Sequence, residues 1–252
     1  RNIKNYNNEF GFPLGILGLS SAGRSSLGWL KVLLQARRVA RGKDKNFPNM
    51  LVLEYAIDKP GDMDHLLSIA RPSIAVVTGV STVHAVNFEH VEALADEKMK
   101  LARAVLSDGL VVLNADEGHL RERMEGLQAR VLTYGFAQDA DVRVQGLDLV
   151  TRPDDWFAEG ETACELNMMI QGARDPYALS IKNAAGRPVA STAACVIALA
   201  EHLNLDVVDI ISSLSRLRSA PGRMNLLAGI KGTLILDDSY NASPAAMRAA
   251  IE

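Results

Sequence analysis

The chain is poor in cysteine and aromatics, carries little net charge and has no long apolar run. Each shortage excludes something. Two cysteines, Cys164 and Cys195, stand far apart among 252 residues. They make neither a disulfide framework nor a metal knuckle, as expected in a reducing compartment. No apolar run approaches the roughly 20 residues of a membrane-spanning helix, and no secretory signal pattern is visible. A cytoplasmic location is therefore expected. With a formal net charge of −3, the chain as a whole lacks the basic excess of a nucleic-acid-binding protein. Aromatics make up 5% but hydrophobic residues 48%, enough to bury a sizeable core in one large domain with part of a second.

The small net charge hides an imbalance. Residues 1–45 hold nine Lys and Arg against Glu9 and Asp44, a net +7, which leaves −10 for the remainder. Much of the positive charge falls in residues 27–41, LGWLKVLLQARRVAR, which have helical periodicity. A basic amphipathic helix either packs its apolar face on its own protein's sheet or lies on an anionic membrane surface. Just before it, residues 18–25 imitate a phosphate-binding P-loop, with Arg24 in place of the lysine. That lysine acts as a compact charge on the β- and γ-phosphates, and an arginine does not replace it. The segment is read as a decoy.

From Leu51 onward, short apolar runs alternate with helical segments. Residues 51–53, 74–77, 110–113 and 130–134 read as strands of a mostly parallel sheet, and residues 88–106 as a long helix. The fold class is α/β, a mostly parallel sheet flanked by helices. Ligands of such sheets bind beyond the carboxyl ends of the strands. That rule places Glu54 after the first run, His84 in the loop 78–84 after the second and, on the next helix, Lys98 as candidates for one site; the third run ends in Asn114 to Glu117. Lys98 falls near the inward stripe of the long helix, with Leu94, Ala95, Leu101 and Ala102. An ammonium there is costly unless paired or chemically changed, or unless it snorkels to the helix edge.

Residues 140–179 change to short alternating stretches, a smaller antiparallel region. Residues 191–203 and 207–217 read as helices joined at Asn204-Leu205-Asp206. Residues 218–224, RSAPGRM, have linker composition. They divide a domain over 1–219 from the start of another over 220–252, with a strand at 233–236 and a helix from Pro244. His65, His90, His119 and His202 read as ordinary histidines. The chain begins at Arg1 and stops inside that last helix, so a piece of a longer protein is expected.

Together these segments resemble the Mur ligases, the ATP-dependent ligases that build the peptide of peptidoglycan. The resemblance runs from Asn5 to Glu252. It is carried in order by Asn5-Tyr6-Asn7-Asn8 with Gly11 and Pro13-Leu14, by Val52-Leu53-Glu54 with Asp58 to Asp62, and by the loop from Val77 to His84. Ala95 to Lys98, Leu113 to Asp116, Pro221 to Met224 and Asp237 to Pro244 follow. The last segment, DDSYNASP, is similar to the start of the C-terminal domain in the member that adds D-alanyl-D-alanine.

The resemblance implies a site. Glu54, His84 and a carbamylated Lys98 would bind magnesium and serve catalysis. Asn114, Asp116, Ser191, Arg223, Asp238 and Asn241 would hold ATP, with Arg223 at the phosphates and Asp238 at the ribose hydroxyls. Asn7, Asn8 and Tyr240 would contact substrate. It further implies ATP and Mg2+ as cofactors, a UDP-linked muramoyl tripeptide and D-alanyl-D-alanine as substrates, and a monomer. Two departures accompany it. The family's phosphate loop is expected upstream of Arg1, and Ser191 stands where relatives carry an asparagine near the adenine. The alternatives are a Mur-type ligase with another amine or acid, and a non-catalytic nucleotide-binding or membrane-docking relative.

Overall fold

A computed structural model describes residues 7, 9, 11–43, 47–80, 87–151, 164–230, 233–240 and 244–251. The chain divides into two compact units, Arg1–Pro72 and Ser73–Glu252.

The first unit holds α1 (Gly11–Ile16), α2 (Ser26–Ala40) and α3 (Asp62–Ile69). Phe12, Ile57, Met63 and Leu66 are buried, and the rings of Phe12 and Tyr55 meet edge to face at 4.7 Å. The Tyr55 hydroxyl donates to the Ala70 carbonyl at 3.0 Å, securing the end of α3. At its start, the Asp62 carboxylate accepts from the N–H groups of Asp58 and Lys59. Pro60 therefore sits in the turn before the helix rather than inside it.

One expectation fails in this unit. Residues 51–53 form no strand, and Val52 is 92% exposed. An apolar run becomes a strand only when a neighbour completes its hydrogen-bond ladder, and among the described residues the nearby backbone link is Ala56 N–H donating to the Asn7 carbonyl. The helix α2 forms as expected, capped by the Ser25 hydroxyl on the Gly28 N–H. It turns Val32, Ala36 and Val39 inward, with Val32 buried, and leaves Leu27, Leu30, Leu33 and Leu34 exposed.

The second unit runs β1 (Ile74–Val77), α4 (Val91–Arg103), β2 (Leu110–Asn114), α5 (Gly118–Arg121), β3 (Arg130–Gly135), β4 (Val142–Thr151), β5 (Cys164–Gln171), β6 (Pro176–Lys182), α6 (Arg187–His202), α7 (Val207–Leu214), β7 (Asn225–Ala228), β8 (Leu234–Asp237) and α8 (Pro244–Ile251). The first six strands make one sheet in sequence order. Strands β1, β2 and β3 are parallel. Strand β4 joins β3 in parallel through Val142 and Arg143 only and pairs antiparallel with β5, with a register shift between Val144 and Gly146; β5 pairs antiparallel with β6. The antiparallel region expected over 140–179 is this extension. Strands β7 and β8 form a separate antiparallel pair, and β7 was not anticipated.

Burial explains the pattern. Four successive residues of β2, Leu110 to Leu113, are almost fully buried, as a strand covered on both faces must be. Leu110 and Val112 share a cluster with Ala190, Ala193, Ala194 and Ile197 of α6, whose small side chains let the helix approach closely. Helix α4 packs against β1. It is shorter than expected because the His90 imidazole caps it, accepting from the Ala93 N–H at 3.0 Å.

Glu201, a buried acid on α6, fastens the β5–β6 turn. Its carboxylate accepts from the N–H groups of Ala173 and Arg174 and from the Tyr177 hydroxyl, at 2.9 to 3.2 Å. Removing it strands two N–H donors and a phenol. Glu201→Ala should cost about 2–4 kcal/mol, read as a lower urea midpoint with an unchanged slope.

Candidate active site

The carboxyl ends of the three parallel strands converge on one group of loops. Asn114, ending β2, donates its amide N–H to the Thr78 carbonyl beyond β1 at 3.0 Å, while its side-chain oxygen accepts from the Asp116 N–H. The Asp116 carboxylate in turn accepts from the N–H groups of Phe136 and Ala137 beyond β3, at 2.8 to 3.0 Å. Two adjacent polar side chains thereby lace three loops together. Gly135 makes this approach feasible: its φ is +145°, and a Cβ there would lie 2.7 Å from the Asp116 carboxylate.

These loops, the first turns of α6 and part of α8 enclose a cleft of about 450 Å³. Asn114, Asp116 and Ser191, all selected from sequence, line it. So do Phe136, Arg187 and Arg248, which were not selected as site residues, although Arg187 opens the segment that ends at Ser191. The Arg187 guanidinium lies over the Phe136 ring, 3.8 Å from its centroid, a flat cation–π platform. Two arginines and the N-terminus of a 16-residue helix favour an anion here, and the ring offers an apolar face. Beneath the cleft, Tyr134 and Cys195 are buried and hydrogen-bonded to each other, and burial raises both pKa values, that of the thiol to about 11. Neither is an available nucleophile near neutral pH.

Lys98 lies on α4 beside the loop after β1. Its ammonium donates to the Gly79 carbonyl at 2.6 Å, and Glu117 accepts from the next N–H, that of Val80, at 3.3 Å. Burial lowers the Lys98 pKa, and the nearby negative charge of Glu117 opposes that shift. The inward lysine is therefore held by a carbonyl, with the negative charge of Glu117 nearby. Glu117 ends the Asn114 to Glu117 run, and a search for acids facing Lys98 would have found it.

A second group forms around the β7–β8 pair. The Arg223 guanidinium stacks on the Tyr240 ring at 4.0 Å. Asp237 accepts from the N–H groups of Gly222 and Ser239, and one oxygen of Asp238 accepts from the Met224 N–H at 3.0 Å. Asp238 is thus partly committed to the backbone rather than wholly free for ribose. Glu54 is exposed in the first unit. His84, Asn8 and Asn241 lie outside the described residues. Among the described residues no group of three or more His, Cys, Asp or Glu side chains converges as a metal site. Residues 18–25 follow a helix, α1, rather than the strand a P-loop requires, and Ser25 and Gly23 serve the start of α2.

Residues 24–174 match the Mur ligase middle domain, and the chain belongs to that family. Within it, the chain is similar to the UDP-N-acetylmuramoyl-tripeptide–D-alanyl-D-alanine ligase of Mycobacterium tuberculosis, 29% identical over 208 residues, covering 80% of this chain and 38% of the relative. Its fold is that of MurF from Acinetobacter baumannii (TM-score 0.69, 20% identity, 94% of this chain and 49% of the other). It is equally like MurF from Thermotoga maritima in complex with ADP (TM-score 0.68, 23% identity, 95% and 52%). The chain therefore spans less than two thirds of the length of these proteins.

The lowered Lys98 pKa sets a pH dependence. The folded chain releases this proton below 10.5, the ordinary lysine value, whereas the unfolded chain holds it until about 10.5. Stability must therefore rise with pH between the folded and unfolded values. Urea denaturation at stepped pH should show the wild type gaining stability relative to Lys98→Met as pH approaches 10.5. A constant difference would refute the shift.

Proposed function

We propose that this chain is the central part of an ATP-dependent, ADP-forming amide ligase of peptidoglycan precursor synthesis. It would join D-alanyl-D-alanine to a UDP-linked muramoyl tripeptide. The cleft carries the reading: it gathers Asn114, Asp116 and Ser191, the residues assigned to ATP, at the carboxyl ends of parallel strands in a Mur ligase fold. The similarity to the tripeptide–D-alanyl-D-alanine ligases and to an ADP-bound MurF supports the substrates. In this reading residues 1–219 form the ATP-binding domain and 220–252 the hinge and the start of a C-terminal domain. The separate β7–β8 sheet supports that division.

Amide formation needs an activated acyl group, and phosphoryl transfer from ATP to the carboxylate makes an acyl phosphate. Catalysis of that transfer rests on positioning and positive charge. The Phe136–Arg187 platform would take the flat base. Arg223 would meet phosphates, Asp238 would use its remaining oxygen on ribose, and Asn241 would complete the nucleotide contacts. Asn7, Asn8 and Tyr240 would hold substrate, and closure of the hinge would exclude water from the acyl phosphate.

The donor chemistry of Glu54, His84 and a carbamylated Lys98 suits a magnesium ion, which favours oxygen ligands. The ion supplies charge neutralisation at the phosphates when bound. Carbamylation requires a neutral amine, which the lowered Lys98 pKa makes more available. The carbamate would turn an unwelcome buried cation into a carboxylate-like anion.

The full-length protein should form ADP only when ATP, Mg2+, the UDP-muramoyl tripeptide and D-alanyl-D-alanine are all present, measured by a coupled ADP assay. Activity with a different amine would redirect the substrate assignment within the family. No ADP with any donor and amine pair would favour the non-catalytic relative. Lys98→Ala should lose about 100-fold or more in kcat, with partial recovery in added formate or acetate. Labelled bicarbonate should give a carbamate carbon signal absent from that variant. Full activity of Lys98→Ala would remove the carbamate from the mechanism.

A further inference from the structure

Helix α2 carries none of the residues assigned to the ligase site, and its surface is hard to reconcile with water alone. Gly28, Val32, Ala36 and Val39 turn inward, with Val32 buried and the other three half-buried. The opposite side leaves Leu27 73%, Leu30 54%, Leu33 64% and Leu34 59% exposed, with Trp29 at its edge. Arg37, Arg38 and Arg41 follow in the last turns, all exposed. The surface is thus divided along the helix, apolar in its first part and cationic at its end. No Asp or Glu occurs between Glu9 and Asp44, while Arg24, Lys31, Arg37, Arg38, Arg41 and Lys43 all fall in that interval.

Charge and shape select the occupant. A second copy of the chain docked through the same helix would set this cationic surface against its own kind. A nucleic acid would satisfy the arginines but leave the leucines in water. An anionic lipid bilayer satisfies both, with apolar side chains reaching the acyl boundary and guanidinium groups at the phosphates. We propose that α2 is an interfacial anchor that docks this protein on anionic lipid bilayers.

The arrangement also explains the cap geometry. The Trp29 indole N–H is already used by the Gly23 carbonyl at 3.0 Å, so the ring reaches the interface without an unmet donor. The loop before α2 and the first turn are held by Ser25, which presents the leucines on a preformed helix. Docking then requires little folding on contact.

The test is co-sedimentation of the full-length protein with phosphatidylglycerol-containing vesicles and with pure phosphatidylcholine vesicles. Binding to the first, weak binding to the second and loss with added salt are expected. Arg37→Gln/Arg38→Gln/Arg41→Gln should lower the partition coefficient on the order of 100-fold, at about fivefold per charge. Leu30→Ser/Leu34→Ser should lower it by roughly 10-fold or more. Because these side chains are exposed, thermal midpoint and ADP formation in solution should not change. Equal binding to both vesicle types, no binding at low salt, or an unaffected leucine variant would overturn the proposal. So would a dimer in sedimentation velocity that the leucine variant abolishes, or an RNA complex with the vesicle-binding arms silent. The comparison of vesicle compositions uses the wild type and decides the matter even if a variant misfolds.

Discussion

The second unit depends on covering β2 from both sides. A parallel strand has no solvated face, so its four apolar residues need a helix above and another layer below. The alanine-rich face of α6 meets Leu110 and Val112, and α4 lies against the neighbouring β1. With those layers in place the strands end at one level. Their loops, which cannot form a ladder, are free to take other partners.

What those loops do next is a matter of hydrogen-bond accounting. Loop N–H and carbonyl groups near a protein interior must be satisfied, and here side chains at the strand ends do it. Asn114, Asp116, Glu117 and Lys98 all bond to the backbone of the loops beyond β1 and β3. The same residue types that a nucleotide site needs therefore also build its walls. This dual use leaves Asp116 with its carboxylate engaged by two N–H groups, while Arg187, stacked on Phe136, and Arg248 supply the cleft with positive charge. Preorganised walls of this kind lose little entropy when a ligand arrives.

Much of the second unit was legible because its signals are local. Strand runs of period two or continuous burial, the helical stripe through Leu94, Lys98 and Leu101, and the break at Asn204 to Asp206 each lie within a dozen residues. The helix ends were less so. His90 reads as an ordinary loop histidine until its imidazole is seen on the Ala93 N–H. Residues 51–53 show the limit of such reading, since an apolar run looks the same whether or not a neighbouring strand completes it.

The sequence by itself determined the α/β class, the family, the run of polar residues at the strand ends and the concentration of positive charge before Asp44. Those properties follow from residue type and spacing along the chain. Only the tertiary structure decided that Glu117 faces Lys98 across two loops, that Arg187 lies on Phe136, and that the leucines of α2 stand exposed. Each of those facts is a distance between residues well separated along the chain, or the lack of a covering layer. Such distances depend on how the elements stack, which no local periodicity encodes.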